Sequence, residues 1–590
     1  MVLVAVVGLA LVGSTSTAVI QAVDGGELIT AACTGRAPDS RFCPFFTLVG
    51  QVACKLPWST PARRVGLVSA AAGVWALLAL YLVVGRLTGN CWAAAVAALV
   101  LATGSIFWRH GSRAGPETLG VALTLTGLHL GLAEGAVRRM TAGLCAGLAL
   151  CSDPASLLVL PVTVAAVTGG SRRGRGMVAF VAGLLIGLSP ALQLLGFAGE
   201  PLLPRGWGDG AASIRLLGHY LVLIPSQTGW LLWPVALLGA LALIWSRARG
   251  GEPPLGCGPS ARNTHCTQRP LARAVRQDAG RGVGLLLGLL VLIGAPLYLV
   301  LVGLGWGDAA SRAAMERHLV LPFALVALAV GVGLATLDGT WLAGVDRRAR
   351  RGYWHVAAWI VVGLSALLSY PRANLKQRFA VEDHGINCLS VARPGSLVLG
   401  QGTLLRAAVE YARTMLGVRT DVRYLDLDLL ARPWYARRLP RHLRRHAADP
   451  LRLIQAEMRH GGVVYLARPL EQRERWSSAF AAHPVGPLMQ LMPPGRPNPP
   501  PARIEELNRR VFRGLLLRGQ VDLDPRREPE EAHLRQTYAL TWRWIARELL
   551  RAGDQKGALR ALLRGQRWAP WLAAPDWFGD RMQRSTAVGH

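Results

Sequence analysis

Charge is scarce in this sequence. Only 17% of its 590 residues are charged, acids number 35 against 65 basic residues, and lysine occurs three times, at Lys55, Lys376 and Lys556. With 52% hydrophobic residues and a mean hydropathy of +0.31, that shortage excludes an ordinary soluble protein and points to a polytopic membrane protein. No GxxxxGK[ST] loop stands in the chain, so ATP-driven transport has no support. The net charge of +30 is not accompanied by a zinc-finger or RNP-like pattern, and nucleic acid is not expected as a partner. Basic residues instead crowd the cytoplasmic loops of membrane proteins, and the preference for arginine reads as base composition. The nine cysteines include no C-x-x-C metal pair. Cys33 and Cys43 share the first loop. If that loop is extracytoplasmic they can form a disulfide, which Cα geometry decides; the alternative is that they are small hydrophobes.

What the chain has in quantity is apolar runs of span length, which for a helix is about 20 residues. Candidates lie near 1–21, 65–85, 91–108, 116–136, 177–198, 229–245, 282–304, 319–337 and 353–371. The run 142–169 is too long for one pass and is broken by Asp153-Pro154, because proline cannot continue the helical ladder and aspartate avoids lipid. The basic loops "VRRM" (137–140), "SRRGRG" (171–176), 246–281 and "DRRARRG" (346–352) share the cytoplasmic side only if 142–169 crosses twice. This gives about 11 spans, a cytoplasmic N-terminus, residues 22–63 as a first outer loop, and everything past about residue 372 outside. Residues 1–20 lack the basic n-region of a signal peptide and read as a first span.

Beyond the membrane domain (1–371) the character changes. "GSLVLGQGTLLRAAVEYARTMLGVRTDVRYLDLDLL" reads strand, turn, helix, strand, and "GGVVYLARPL" reads as another strand. An extracytoplasmic α/β domain is therefore expected over 372–491. A stiff proline-rich linker, "MPPGRPNPPP", covers 492–501. Residues 502–590 are expected to be helical, with Ala546, Ala558, Leu562, Gly565 and Pro570 at the positions of a tetratricopeptide-like helix pair; a plain helical hairpin is the alternative.

Two acids, Asp24 and Glu27, stand at the outer end of the first span, where an ionised group must be paired or functional. The first span, the carboxylate-bearing outer loop, the further spans and the soluble outer domain together resemble the GT-C glycosyltransferases, membrane enzymes that take sugars from polyprenyl-phosphate donors. Within them the resemblance is to a bacterial multispanning family that also contains the vertebrate plexin-type O-mannosyltransferase. Its D-S-G-E-F-like motif reads "DGGELI" here (24–29). Its H-P-P-G-Y-P-L stretch and T-L-L-G helix read "DSRFCPFFTLVG", keeping Pro44 and 47–50. Its R-P-D-V and W-Y segment reads "GVRTDVRYLDLDLLARPWYARRL" (417–439). The departures are as informative. The family histidine falls on Asp39 and the following Pro-Pro-Gly on Ser40, Arg41 and Phe42. An acid after the "FW" of the third span falls on Gly115, with Glu117 close by; a histidine or asparagine of the broken span falls on Asp153 or Pro154. A G-D element reads "GQG", with Gln401 for the acid.

The resemblance implies an inverting transfer, in which one base takes the proton of the acceptor hydroxyl while lipid phosphate leaves. Asp24 is the expected base. Glu27 is expected to position the acceptor or help bind a divalent cation, with a solvated or helix-start role as its alternative. Arg109 and Arg113 of "WRHGSR" are expected to face the phosphate, since guanidinium forks suit it, and interfacial anchoring is the competing role. Asp39 and Asp153 complete the expected substrate-binding set, Asp153 having a helix-break cap as its alternative. The expected donor is a polyprenyl-phosphate-linked sugar, the expected acceptor a protein or glycan, and the expected location a bacterial inner membrane with the site outside. A catalytically inactive binding or scaffold protein is the second reading, and a lipid or polysaccharide transporter the third.

Overall fold

The computed structural model describes residues 1–17, 19–20, 25–35, 43–168, 173–191, 232–245, 280–294, 316–340, 347–467, 479–518 and 529–572. The protein is mostly helical and divides into two compact units. One comprises Met1–Val19 and Ala31–Lys376, and the other Ile20–Thr30 and Gln377–His590. The first unit is a membrane protein's helical body.

In that unit α1 (Val2–Thr15), α3 (Pro44–Cys54), α4 (Pro61–Thr88), α5 (Cys91–Thr103), α6 (Ser105–Gly111), α7 (Glu117–Gly131) and α8 (Ala136–Leu150) follow one another. α2 (Gly25–Thr34) precedes α3 and contributes its last residues, from Ala31, to this unit. After α8 come α9 (Leu160–Thr168), α10 (Arg173–Gly187), α11 (Trp233–Trp245), α12 (Gly280–Leu289), α13 (Val320–Thr340) and α14 (Arg347–Ala373). α4 packs on α5 and α7, α8 on α10, and α11 on α13. α13 is apolar over most of its length and its residues 320–330 are almost wholly buried, as suits a central helix.

Among the described residues three helices are long and apolar enough to cross a membrane, or four if the bent pair α5–α6 is one span. The expected count of about 11 also draws on 192–198, 229–231 and 295–304, which lie outside the described residues. The candidate span 91–108 is not straight: α5 and α6 meet at 71°. Gly104 sits at the bend, where an added Cβ would lie against the ring of Phe323, so this break needs a residue without a side chain. The run 142–169 breaks as its Asp-Pro pair dictates. α8 stops at Leu150, Asp153 Oδ1 accepts from Ala155 N at 3.0 Å, and a turn of 3-10 helix (Pro154–Leu158) leads to α9.

The cysteine pairing differs from the one considered. Cys33 bonds to Cys54 rather than to Cys43, with Cα atoms 5.3 Å apart. Gly50 brings α3 close to Ala32, and that approach sets the distance a disulfide requires.

The second unit is built on a five-stranded sheet of order β2-β1-β3-β5-β4, with β1 (Leu397–Gly400), β2 (Arg423–Asp426), β3 (Val464–Ala467), β4 (Ala482–Val485) and β5 (Leu488–Leu491). β1 runs parallel to β2 and β3, while β5 is antiparallel to β3 and β4. α15 (Ala380–Val391) precedes the sheet, α16 (Thr403–Thr414) joins β1 to β2, and α17 (Pro450–Arg459) leads into β3. α18 (Pro501–Arg513), α19 (Pro529–Arg551) and α20 (Gln555–Trp568) follow. Residues 377–491 and 502–590 thus fall in one unit together with Ile20–Thr30, while 372–376 belong to the membrane unit. The stretch 492–501 does not separate them: Asn498 Nδ2 donates to Ala482 O, and Asn508 ties α18 to Pro484 O and Gly486 N. His384 and Asn387 of α15 both reach the hydroxyl of Tyr538 on α19. Ala546, Ala558, Leu562 and Gly565 are buried where α19 and α20 pack together.

Candidate functional site

Each unit contains its own polar centre. In the membrane unit it forms at the α6–α7 corner. Trp108 Nε1 donates to Thr15 Oγ1 at 2.9 Å, and Ser112 Oγ lies 2.8 Å from the same hydroxyl, so α1 fixes the corner. Arg109 Nη1 pairs with Glu316 Oε2 at 3.3 Å. Arg113 Nη2 lies 3.1 Å from the ring of His110, which is fully buried and stands 3.2 Å from Glu117 Oε2. Arg317 and His318 join them: Arg317 acts electrostatically on Asp153, and His318 on Glu117 and His110. Asp153 enters beside Gly120, whose missing Cβ makes the room. It caps the helix break with Oδ1, while Oδ2 is buried with no hydrogen-bond partner among the described residues.

Three of the residues expected to bind substrate, Arg109, Arg113 and Asp153, therefore meet in this centre, although Arg109 is held by a carboxylate. His110, Glu117, Glu316, Arg317 and His318 were not assigned from the sequence. The departure at position 115 has a structural answer. A Cβ on Gly115 would collide with Glu117 Oε2, so the carboxylate two residues on fills the space a side chain at 115 would occupy. Ser69 Oγ holds Gly115 in place through both its N–H and its carbonyl.

The second unit's centre lies at the C-terminal ends of β1 and β2. Arg406 of α16 donates from Nη1 to Asp426 Oδ2 at 2.9 Å and from Nη2 to Glu27 Oε2 at 3.3 Å; all three side chains are buried. Glu27 thus reaches a partner 379 residues away. Asp426 is paired in register with Gly400, accepts Asp428 N on Oδ1 at 2.8 Å, and donates its own N–H to Tyr435 Oη at 2.9 Å. Asp428 accepts Gln401 Nε2 and Gly402 N, each at 3.0 Å, so Gln401 does not lack an acid but is bonded to one. Burial pushes the Asp426 carboxyl up to about 6 against the pull of Arg406. Burial likewise raises Glu410, one turn along α16.

Gly26 faces α16 edge-on, and an added Cβ there would lie 2.6 Å from Ala407 O. The two segments that carry the family resemblance, 24–29 and 417–439, consequently meet through Arg406. Nothing in the sequence sets that residue apart, since it sits inside an ordinary amphipathic helix. Asp24 and Asp39 lie outside the described residues. Among the described residues no three histidine, cysteine, aspartate or glutamate side chains gather as a metal site.

No family model matches the chain. Over 129 residues it is 25% identical to the mouse protein O-mannosyl-transferase TMEM260, a match spanning 22% of this chain and 18% of that protein. The chain resembles a GT-C membrane glycosyltransferase. It spans less than a fifth of the length of the curated relative it matches. Among solved structures it is similar to ArnT from Cupriavidus metallidurans bound to undecaprenyl phosphate, at a TM-score of 0.46 and 12% identity over 84% of this chain and 98% of that one. It is also similar to the Archaeoglobus fulgidus oligosaccharyltransferase in complex with zinc and sulfate, at 0.44 and 12% over 83% and 72%.

Proposed function

We propose that the protein is a membrane glycosyltransferase that moves a sugar from a polyprenyl-phosphate donor to an acceptor hydroxyl on the extracytoplasmic side, with protein O-glycosylation the first acceptor class to test. The observation that carries this reading is the meeting of Glu27 with Asp426 through Arg406, which joins the two motif segments in one buried arrangement. Asp24, three residues before Glu27, is assigned as the base. It takes the acceptor's proton as the hydroxyl oxygen attacks the anomeric carbon, and the lipid phosphate leaves with the electrons of the broken C–O bond, inverting the centre. The arginines of the membrane unit's centre are assigned to the phosphate.

A divalent cation does not fit the described residues, because Glu27 Oε2 is held by Arg406 and no three-ligand group is present among them. No step here is routed through a metal. The Cys33–Cys54 disulfide supports an oxidising, extracytoplasmic setting for the first loop, and a bacterial inner membrane accommodates it. Glu117 filling the space at 115 and Asp428 bonding Gln401 support a working enzyme over an inactive scaffold, since the drifted positions are compensated.

The test is transfer of radiolabelled sugar from a polyprenyl-phosphate-sugar pool by membranes expressing the protein, with mannose, glucose and galactose donors. Asp24→Asn is expected to lower transfer by about 10²- to 10⁴-fold at unchanged protein level. Equal transfer by both proteins, or none by either with all three donors, would replace this reading with an extracytoplasmic binding protein.

A further inference from the structure

We infer that Arg406 is a positioning residue for the transfer, and that Gly26 and Glu27 are the clasp through which it holds the segment carrying Asp24. The inference rests on the proposed role of Asp24, but the clasp is a separate structural claim. A guanidinium offers its two Nη groups in a fixed plane, and here each bonds a different carboxylate. One of these, Asp426, is rooted in the sheet by its register with Gly400, the Asp428 amide and the Tyr435 hydroxyl. The other, Glu27, belongs to the outer segment. The pair therefore passes the rigidity of β2 to α2.

Gly26 makes the same contact by packing. With 2.6 Å between its Cβ direction and Ala407 O, no larger residue fits unless the backbones part. An ion pair and a glycine contact on consecutive residues, against consecutive residues of α16, fix both the distance and the rotation of the segment. The motif "DGGE" then divides into two tasks: Gly26 and Glu27 hold, and the aspartate ahead of them reacts. This moves Glu27 from substrate contact to support.

Full-length protein in detergent is compared as wild type, Arg406→Lys, Glu27→Gln, Gly26→Ala and the double variant Glu27→Gln/Arg406→Lys. Hydrogen exchange is followed by peptide, and transfer kinetics are measured alongside. Gly385→Ala serves as the control for general damage, because the atoms nearest an added Cβ at Gly385 of α15 are all those of Ala408, on the same helix α16. The clasp predicts faster exchange over 25–30 in all four test variants, by about tenfold or more, with strands 397–400 and 423–426 unchanged. It predicts a fall in kcat of about 10- to 100-fold at unchanged donor KM, as expected for a displaced catalytic group. The double variant should be no worse than the poorer single one, because both remove the same contact. Gly26→Ala should act like the charge variants though it alters no charge.

Unchanged exchange over 25–30 in Arg406→Lys and Glu27→Gln would overturn the clasp. So would exchange rising equally in the strands, or an effect on KM alone. If the wild type transfers no sugar, the proposed function fails, while the exchange measurements still decide whether the clasp exists.

Discussion

The two polar centres are balanced differently. In the membrane unit three arginines (Arg109, Arg113 and Arg317) stand with three acids (Glu117, Asp153 and Glu316), one basic group for each acid. In the second unit Arg406 serves an acid-rich centre of Glu27, Asp426 and Asp428, and Arg413 and Arg438 join it in acting on Glu410. The contrast follows from the solvent. A charge buried in an apolar helical body has no water to fall back on and must be matched, whereas a carboxyl at the end of a sheet can stay in excess by raising its proton affinity.

The sharpest way to break this contrast is to unbalance the membrane centre. Glu117→Gln leaves His110 and Arg113 without their buried carboxylate. It should cost about 3–5 kcal/mol, seen as a fall in the thermal midpoint of the detergent-solubilised protein and in its yield. An undiminished midpoint would mean that the centre is hydrated and its balance unimportant.

The second prediction concerns the acid excess of the other unit. Asp426 has a folded value near 6 against an ordinary 3.8, so it favours the fold fully below pH 4 and this contribution is lost as pH rises to 6. His384, buried beside Tyr538 and lowered to about 4 from 6.5, acts in the opposite sense: its contribution is full above pH 6.5 and lost as pH falls to 4. Each shift amounts to about 3 kcal/mol, so over pH 4–6.5 the two largely offset one another. Asp426→Asn should therefore make stability rise with pH across that window, and His384→Gln should make it fall. Identical pH profiles in both variants would show that neither group titrates as its burial dictates.

Returning the acid to the family's position, in Gly115→Glu with Glu117→Ala, should preserve transfer within about tenfold, because the carboxylate regains nearly the same space. Complete loss would show that the helix start itself needs Glu117. Glu316→Gln should cost no more than about 1 kcal/mol, since its pair with Arg109 is partly open to solvent. A loss as large as that of Glu117→Gln would remove the distinction between paired and buried acids.

How far the sequence announces all this depends on the range of the interaction. The stop at Asp153-Pro154 is local chemistry and could be read directly, as could "SLVL" and "VRYLD", whose composition is that of strands. The hairpin of β4 and β5 could not: "AHPVGPLMQL" carries a proline inside β4 and lacks clean alternation, and its place is set by pairing with β3 and by Asn508. The disulfide was not legible for the same reason: loop proximity offers Cys43 as a partner of Cys33, while helix packing selects Cys54. Arg406 looked like one more cation on the polar face of an amphipathic helix. Only the fold turns that face toward Glu27. The acid missing at 115 and the acid missing at 401 were visible as absences, but their replacements, Glu117 and Asp428, act through space and not through alignment.

The reach of Glu27 also sets a schedule. A ribosome adding about 5–20 residues per second makes Arg406 roughly 20–80 s after Glu27, the two being 379 residues apart. Throughout that interval the newborn first loop has neither its guanidinium nor the surface that receives Gly26. Nascent chains cut short anywhere before α16 must therefore present an unclasped outer segment, open to proteases and to chaperones. The site that the third residue of "DGGE" helps to close is finished only once Asp426 has been made, long after its own first residues.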